Sequence, residues 1–168
     1  MTRIEAEQAA RDLLTTTWRF NPDEGICQLP ISPSYIAERL GLKVHQAYLE
    51  PDVSGMLAKR EGQDAEIYVN AGDSEARQRF SCAHELGHYV QRVSGNEDDS
   101  FGYIDRRGPT ASQGTEPEEI FANQFAAELL MPAHFVRKYA ADLGPAGMAA
   151  KFGVSVGAMK IRFDTLGL

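Results

Sequence analysis

The chain reads as an α+β protein, with a small three-stranded antiparallel sheet between helices and a helical tail. Three observations predict this. Apolar residues recur at helical spacing in residues 3–17, 75–93 and 115–132. Three stretches between the first two, 42–48, 53–58 and 65–69, alternate with a period of two and are separated by turn residues. Short strands with helices before and after them make an α+β layer, not a parallel sheet. Finally, residues 84–88 read His-Glu-Leu-Gly-His, a pattern that has chemical meaning only on a helix.

The first helix should turn Ile4, Ala9 or Ala10, Leu13 and Leu14 inward and Glu5, Glu7, Arg11 and Asp12 outward. Trp18 and Phe20 follow, and residues 21–25, Asn-Pro-Asp-Glu-Gly, form a turn. Ser32-Pro33 starts a short helix, with a cap and a proline in its first position, that closes at Gly41. Residues 36–42 look like half of a DNA-reading helix pair. Glu38 and Arg39 cancel in charge and no basic patch follows, which favours a packing helix. In the strand region, residues 61–64 form a hairpin loop between the second and third strands. Gly55 marks a bulge or a close backbone approach. His45 has no partner at ligand spacing and is read as structural or exposed.

The motif helix opens at Asp73-Ser74-Glu75, with acid at its positive end. Side chains four apart share a helix face, so His84 and His88 can offer two imidazoles to one ion. Glu85, one step round, can reach a water held there. This is the metalloprotease division of labour, with two His on zinc and the Glu as general base. Cys82, Leu86, Val90 and Val93 make an apolar row opposite, and Phe80, Ala83 and Gly87 extend the apolar or small surface, as in a buried helix. Gly87 costs about 1 kcal/mol relative to Ala inside a helix, which implies close approach of another backbone, such as a strand. Cys82 lies about 200° round the helix from His84 and is read as a core thiol.

Residues 94–114 read as a long polar loop, and loops of that length are usually functional, so a flap over the cleft is expected. Thr115-Glu116-Pro117-Glu118 is a capping box that starts the next helix. That helix is apolar nearly all round, through Ile120, Phe121, Phe125, Ala126, Leu129 and Leu130. Glu119 and Asn123 lie four apart on one face. A carboxylate there could be a third zinc ligand, and Asn123 could hold a ligand His by its second nitrogen. Spacing alone does not separate Glu119 from a first-turn acid favoured by the helix dipole, a description that Glu116 and Glu118 also fit.

Lys+Arg 17 against Asp+Glu 24 gives a net charge of −7, which disfavours direct nucleic-acid binding. The N-terminus is charged and amphipathic, unlike a signal peptide, and no apolar window is long enough to span a membrane. Two cysteines, Cys27 and Cys82, make no disulfide framework and point to a reducing cytoplasm. In the helical tail, residues 148–163 resemble a helix-turn-helix signature, with Gly153 in the turn and Ser155 as cap. Lys151, Lys160 and Arg162 could touch DNA, but in an acidic chain packing on the core or docking a partner is the favoured reading. Phe152, Val154, Met159, Ile161 and Leu166 are expected in the core.

Residues 79–88 (Arg-Phe-x-x-Ala-His-Glu-Leu-Gly-His) and 119–132 (Glu-x-x-Ala-Asn-x-Phe-Ala-x-x-Leu-Leu-Met-Pro) together resemble the ImmA/IrrE group of metallo-endopeptidases. Asn70 and the Gly55 strand fit as well. The resemblance covers residues 41–132 and implies a zincin-like fold of the gluzincin type, with 133–168 as a tail of the same single domain. It implies that His84, His88 and Glu119 bind zinc and that Glu85 is the base. It further implies a cytoplasmic bacterial or phage-like protease that cleaves a helix-turn-helix repressor and so relieves transcriptional repression. Tyr103, Arg106, Arg107 and His134 are candidates for stabilising the oxyanion. The substrate chain is expected to add as a strand beside residues 53–58. The rival expectation is a non-catalytic zinc-fold regulator that binds a repressor or DNA.

Overall fold

The computed structural model describes residues 3–93, 100–106 and 117–168. Arg107, Thr115, Glu116 and most of the expected flap lie outside them. In chain order the elements are α1 (Arg3–Thr17), β1 (Phe20–Asn21), β2 (Ile26–Cys27), α2 (Pro33–Arg39), β3 (Lys43–Ala47), β4 (Val53–Lys59) and β5 (Glu66–Asn70). Then come α3 (Glu75–Val93), β6 (Phe101–Arg106), α4 (Pro117–Leu130), α5 (Ala133–Ala140), α6 (Pro145–Phe152) and α7 (Val156–Leu166). This is a mixed α+β fold, as the two periodicities predict.

Local chemistry starts and stops the helices where the sequence suggests. The Ser32 side chain accepts from Tyr35 N–H at 3.3 Å, Ser74 from Arg77 N–H at 3.3 Å and Ser155 from Ala158 N–H at 3.0 Å. Each satisfies an N–H that has no partner within its own helix. Gly153 ends α6 with φ +66°, a left-handed conformation that costs glycine nothing.

The sheet differs from the expected three antiparallel strands. Its order is β3-β5-β4-β6, with β3 parallel to β5 and the other pairs antiparallel. The β4–β5 hairpin folds back so that β5 lies between β4 and β3, and the neighbour of β3 therefore runs in its own direction. The fourth strand, β6, lies inside the stretch read as loop. Phe101, Tyr103 and Asp105 are half-buried and Gly102, Ile104 and Arg106 exposed, so the alternation of a strand is present. Its glycine and adjacent charges obscure that alternation in the sequence. Because β6 pairs with β4 through Leu57↔Tyr103, residues 53–58 are not a free edge, and the expected substrate position beside them is already filled.

Leu57 and Ile67 on the sheet, Leu86 on α3, and Phe125 and Leu129 on α4 are fully buried in one core, each worth about 1.5–3 kcal/mol on transfer from water. From α1 the core receives Ala6, Ala10 and Leu14, whereas Ile4, expected inward, is 74% exposed. Ile4 lies two residues before Ala6, where the buried row begins, and so faces the opposite side of α1. Arg79 of α3 donates from Nε to the Gly153 carbonyl at 2.8 Å and from its terminal amine to the Ile31 carbonyl. The guanidinium thus fastens α3 to the turn between α6 and α7.

The tail departs from expectation at Ile161, and Arg162 goes against the disfavoured DNA reading. Arg162 is only 3% exposed and pairs with Glu128, while its Nε donates to the Met131 carbonyl at 3.0 Å. It is therefore unavailable to DNA. Ile161, expected in the core, is 68% exposed, because α7 turns Met159 and Arg162 toward the body of the protein instead.

Candidate metal centre

Helix α3 is buried continuously from Ser81 to His88, so its polar groups there must find partners inside the protein. Gly87 sets how close α4 can come. A Cβ at that position would lie 3.0 Å from Ala122 Cα and 3.1 Å from the Phe125 ring. The close backbone is thus a helix, not the strand the sequence suggested. With α4 against α3 at this point, Glu119 in the first turn of α4 stands over the histidine pair.

His84 Nε2 and His88 Nε2 are 3.1 Å apart. Glu119 Oε2 is 3.2 Å from His84 Nε2, and its Oε1 is 3.1 Å from His88 Nε2. The two imidazoles hold the Glu119 carboxyl well below the usual carboxylate range, through hydrogen bonds to His84 and His88 that outweigh partial burial. Among the described residues this is the group of three or more potential ligands able to share one ion. The donor set suits zinc. Tetrahedral zinc with bonds of about 2.0–2.1 Å places neighbouring ligand atoms about 3.3 Å apart, close to the separation of the two histidine nitrogens and to that of each from its own Glu119 oxygen. Protons alone satisfy such a triangle of lone pairs poorly, whereas one central cation satisfies all three.

The outer contacts reinforce this arrangement. Asn123 Oδ1 is 3.1 Å from His84 Nδ1, one turn along α4 from Glu119, as the four-residue spacing anticipates. If Nδ1 carries the proton, Nε2 presents its lone pair to the centre. The Tyr103 ring stacks on His88, with centroids 4.2 Å apart and planes 9° apart, and its hydroxyl donates to Glu118 at 3.2 Å. Glu118 is therefore turned to Tyr103, not to the histidines. Reading β6 as loop hid this contact.

Glu85 is fully buried, and neither of its oxygens has a hydrogen-bond partner among the described residues. Loss of solvent pushes its carboxyl well above the ordinary range, and the negative charges of Asp105 and Glu119 push it further. A cation at the triangle would oppose that push. Gly55 makes room for it, because a Cβ there would lie 3.0 Å from Glu85 Oε1 and 3.3 Å from Ser81 Cβ. The β4·β6 register also shifts between Val53 and Gly55, so the bulge reading of this glycine holds, whereas its close neighbours are side chains of α3 and not a backbone. Asn70 secures the start of β4 by donating to the Val53 carbonyl at 2.8 Å.

The oxyanion candidates separate clearly. Tyr103 touches the triangle through His88. Arg106 is engaged by Asp52 at 2.7 Å and Glu50 at 3.1 Å. His134 is exposed on α5, with its ring against Phe135. His45 stacks on Tyr68 and faces Glu66 at 3.5 Å, in keeping with a structural reading.

A buried helix bearing two histidines, met by a carboxylate from a second helix in an α+β framework, is an arrangement that could hold one metal ion. Residues 37–164 match the model of the IrrE N-terminal-like domain, peptidase M78, and the chain belongs to that family of zinc metallopeptidases, which includes non-catalytic members. No curated protein matches the chain. Among solved structures, it is similar to a Mycobacterium tuberculosis transcriptional regulator, with a TM-score of 0.63 and 18% identity, over 95% of this chain and 46% of that one. The chain thus spans about half the length of that regulator, and the likeness is one of fold.

Proposed function

We propose that the protein is a zinc-dependent endopeptidase of the zincin-like, gluzincin type that hydrolyses peptide bonds in a helix-turn-helix repressor. The observation that carries this is the meeting of His84, His88 and Glu119, whose nearest nitrogen and oxygen atoms are 3.1–3.2 Å apart, with the carboxyl of Glu85, unpartnered among the described residues, buried on the neighbouring face of the same helix. His84, His88 and Glu119 would hold the metal, with one position left for water. Bound zinc supplies Lewis acidity, which brings the pKa of a held water to about 7 and polarises a carbonyl.

The chain's own residues do the rest. Asn123 holds the Nδ1 proton of His84, leaving Nε2 free to bind. Glu119 remains ionised and would bring a negative charge to the centre beside the lone pairs of two neutral imidazoles. Tyr103 covers one face of His88 and keeps that ring in place. Glu85 accepts the proton of the attacking water on a carboxylate oxygen and delivers it to the leaving amine nitrogen.

Repressor cleavage is supported by membership of the family and by the occurrence of the same fold in a transcriptional regulator. Cys27 and Cys82 are both unpaired thiols, which suits a reducing cytoplasm, and no described helix is long and apolar enough to cross a membrane. The test is to measure zinc content and then incubate the loaded protein with the helix-turn-helix repressor encoded beside its gene. One zinc per chain and a discrete cleavage abolished by Glu85→Gln are expected. Wild-type cleavage by that variant would falsify the role of Glu85. Bound zinc without hydrolysis would leave the non-catalytic regulator as the better reading.

A further inference from the structure

A cleft of about 1000 Å³ opens beside the metal centre, with His84 and Asn123 in its wall and α7 forming another side. Small-molecule sites occupy roughly 300–1,000 Å³, so this one is wide enough for a length of polypeptide. Ala158, Ile161, Arg162 and Thr165 all line it, at the i, i+3, i+4 and i+7 spacing of one helix face. Its apolar lining comes from Phe80, Ala127, Met131, Val154, Ala158 and Ile161. The exposed isoleucine that the core does not use is therefore part of the cleft wall.

The arginines around the cleft are already paired. Arg3 pairs with Glu7 at 3.0 Å, Arg77 with Asp105 at 3.6 Å, and Arg106 with Asp52 at 2.7 Å, while Arg162 is buried against Glu128. Among the described residues that line the cleft no cation is left over to gather phosphates, so the lining suits an uncharged side chain better than a nucleic-acid backbone. The wall is also rigidly held. Ser155 caps the start of α7, Arg162 fixes its middle to α4, and Arg79 ties the preceding turn to the helix that bears the histidines.

We infer that the cleft-lining face of α7, through Ala158 and Ile161, selects the substrate: it receives an apolar side chain of the polypeptide whose backbone passes His84. This rests on the endopeptidase reading for its substrate class. The helix-turn-helix-like tail then reads a protein chain, not DNA.

The test separates binding from hydrolysis. A library of random dodecapeptides is panned on the zinc-loaded Glu85→Gln protein and on the same protein carrying Ile161→Lys, Ala158→Trp or Lys160→Glu. Ile161 and Lys160 are exposed, so their substitution spares the core, and equal thermal midpoints check this. The parent is expected to enrich peptides with an apolar residue at one position. Ile161→Lys should lower that preference by about tenfold and favour an acid there, in line with the discrimination of a single apolar contact. Ala158→Trp should favour smaller side chains, and Lys160→Glu should change nothing. Unaltered profiles with both Ile161→Lys and Ala158→Trp, or no enrichment by the parent, overturn the inference. A shifted profile whose enriched peptides the wild-type protein does not cut retains the groove and discards the protease reading.

Discussion

Helix α4 carries Glu119 in its first turn and Glu128 in its last, and the two have opposite fates. Glu119, in the first turn, faces two imidazoles and remains a third exposed. Glu128, in the last turn, is sealed between Arg162 and Arg11, the latter at 3.1 Å. Burial pushes the Glu128 carboxyl upward against the pull of those two arginines, whereas the histidines pull Glu119 downward. An acid that brings its own permanent cations into the interior is a fastening between helices. An acid whose partners are imidazole lone pairs has space for a cation the protein does not supply. Residue type and helix are the same; the chemistry opposite decides the role.

That contrast can be broken from either end. The largest effect is expected at the first turn: Glu119→Gln should reduce bound zinc from one per chain to a small fraction, read by elemental analysis, and abolish hydrolysis with it. Folding of the zinc-free protein should change by less than about 1 kcal/mol. At the other end the expectation is reversed. Arg162→Leu leaves Glu128 only partly compensated and should cost about 3–5 kcal/mol in urea denaturation, with zinc content unchanged. Equal stability losses from the two substitutions would mean that Glu119 is a fastening too.

A smaller effect sharpens the comparison. Asn123→Ala removes the acceptor for His84 Nδ1 and should weaken zinc binding by about 10–100-fold, measured by competition with a chelating dye, without loss of fold. If affinity is untouched, the histidine's orientation comes from packing alone. The smallest expected effect concerns the thiols. Burial pushes the Cys27 thiol up to about 11, and burial with the nearby Glu85 charge pushes Cys82 up to about 12. Neither should be alkylated appreciably by iodoacetamide at pH 8 in the native protein, and both should react after unfolding, by intact mass. Fast native labelling of Cys82 would place solvent where the packing of α3 excludes it.

Local spacing made much of this legible. The His84/His88 pair and the Glu119/Asn123 pair are each four apart, so each had to share a helix face whatever the fold, and the structure brings the two faces together. The strands at 43–47, 53–59 and 66–70 fall within a residue or so of their alternating stretches, because pleat and pattern have the same period. Tertiary structure alone decided which first-turn acid meets the histidines, since Glu118 and Glu119 differ only by the rotation of α4 about its axis. It decided that Arg162 is buried while Ile161 is exposed, because that depends on Glu128 waiting across a gap of 34 residues. It also decided that Tyr103 lies on His88, because β6 is a strand only through pairing with β4. Periodicity records which side chains travel together; what they meet is set by contacts that no local pattern contains.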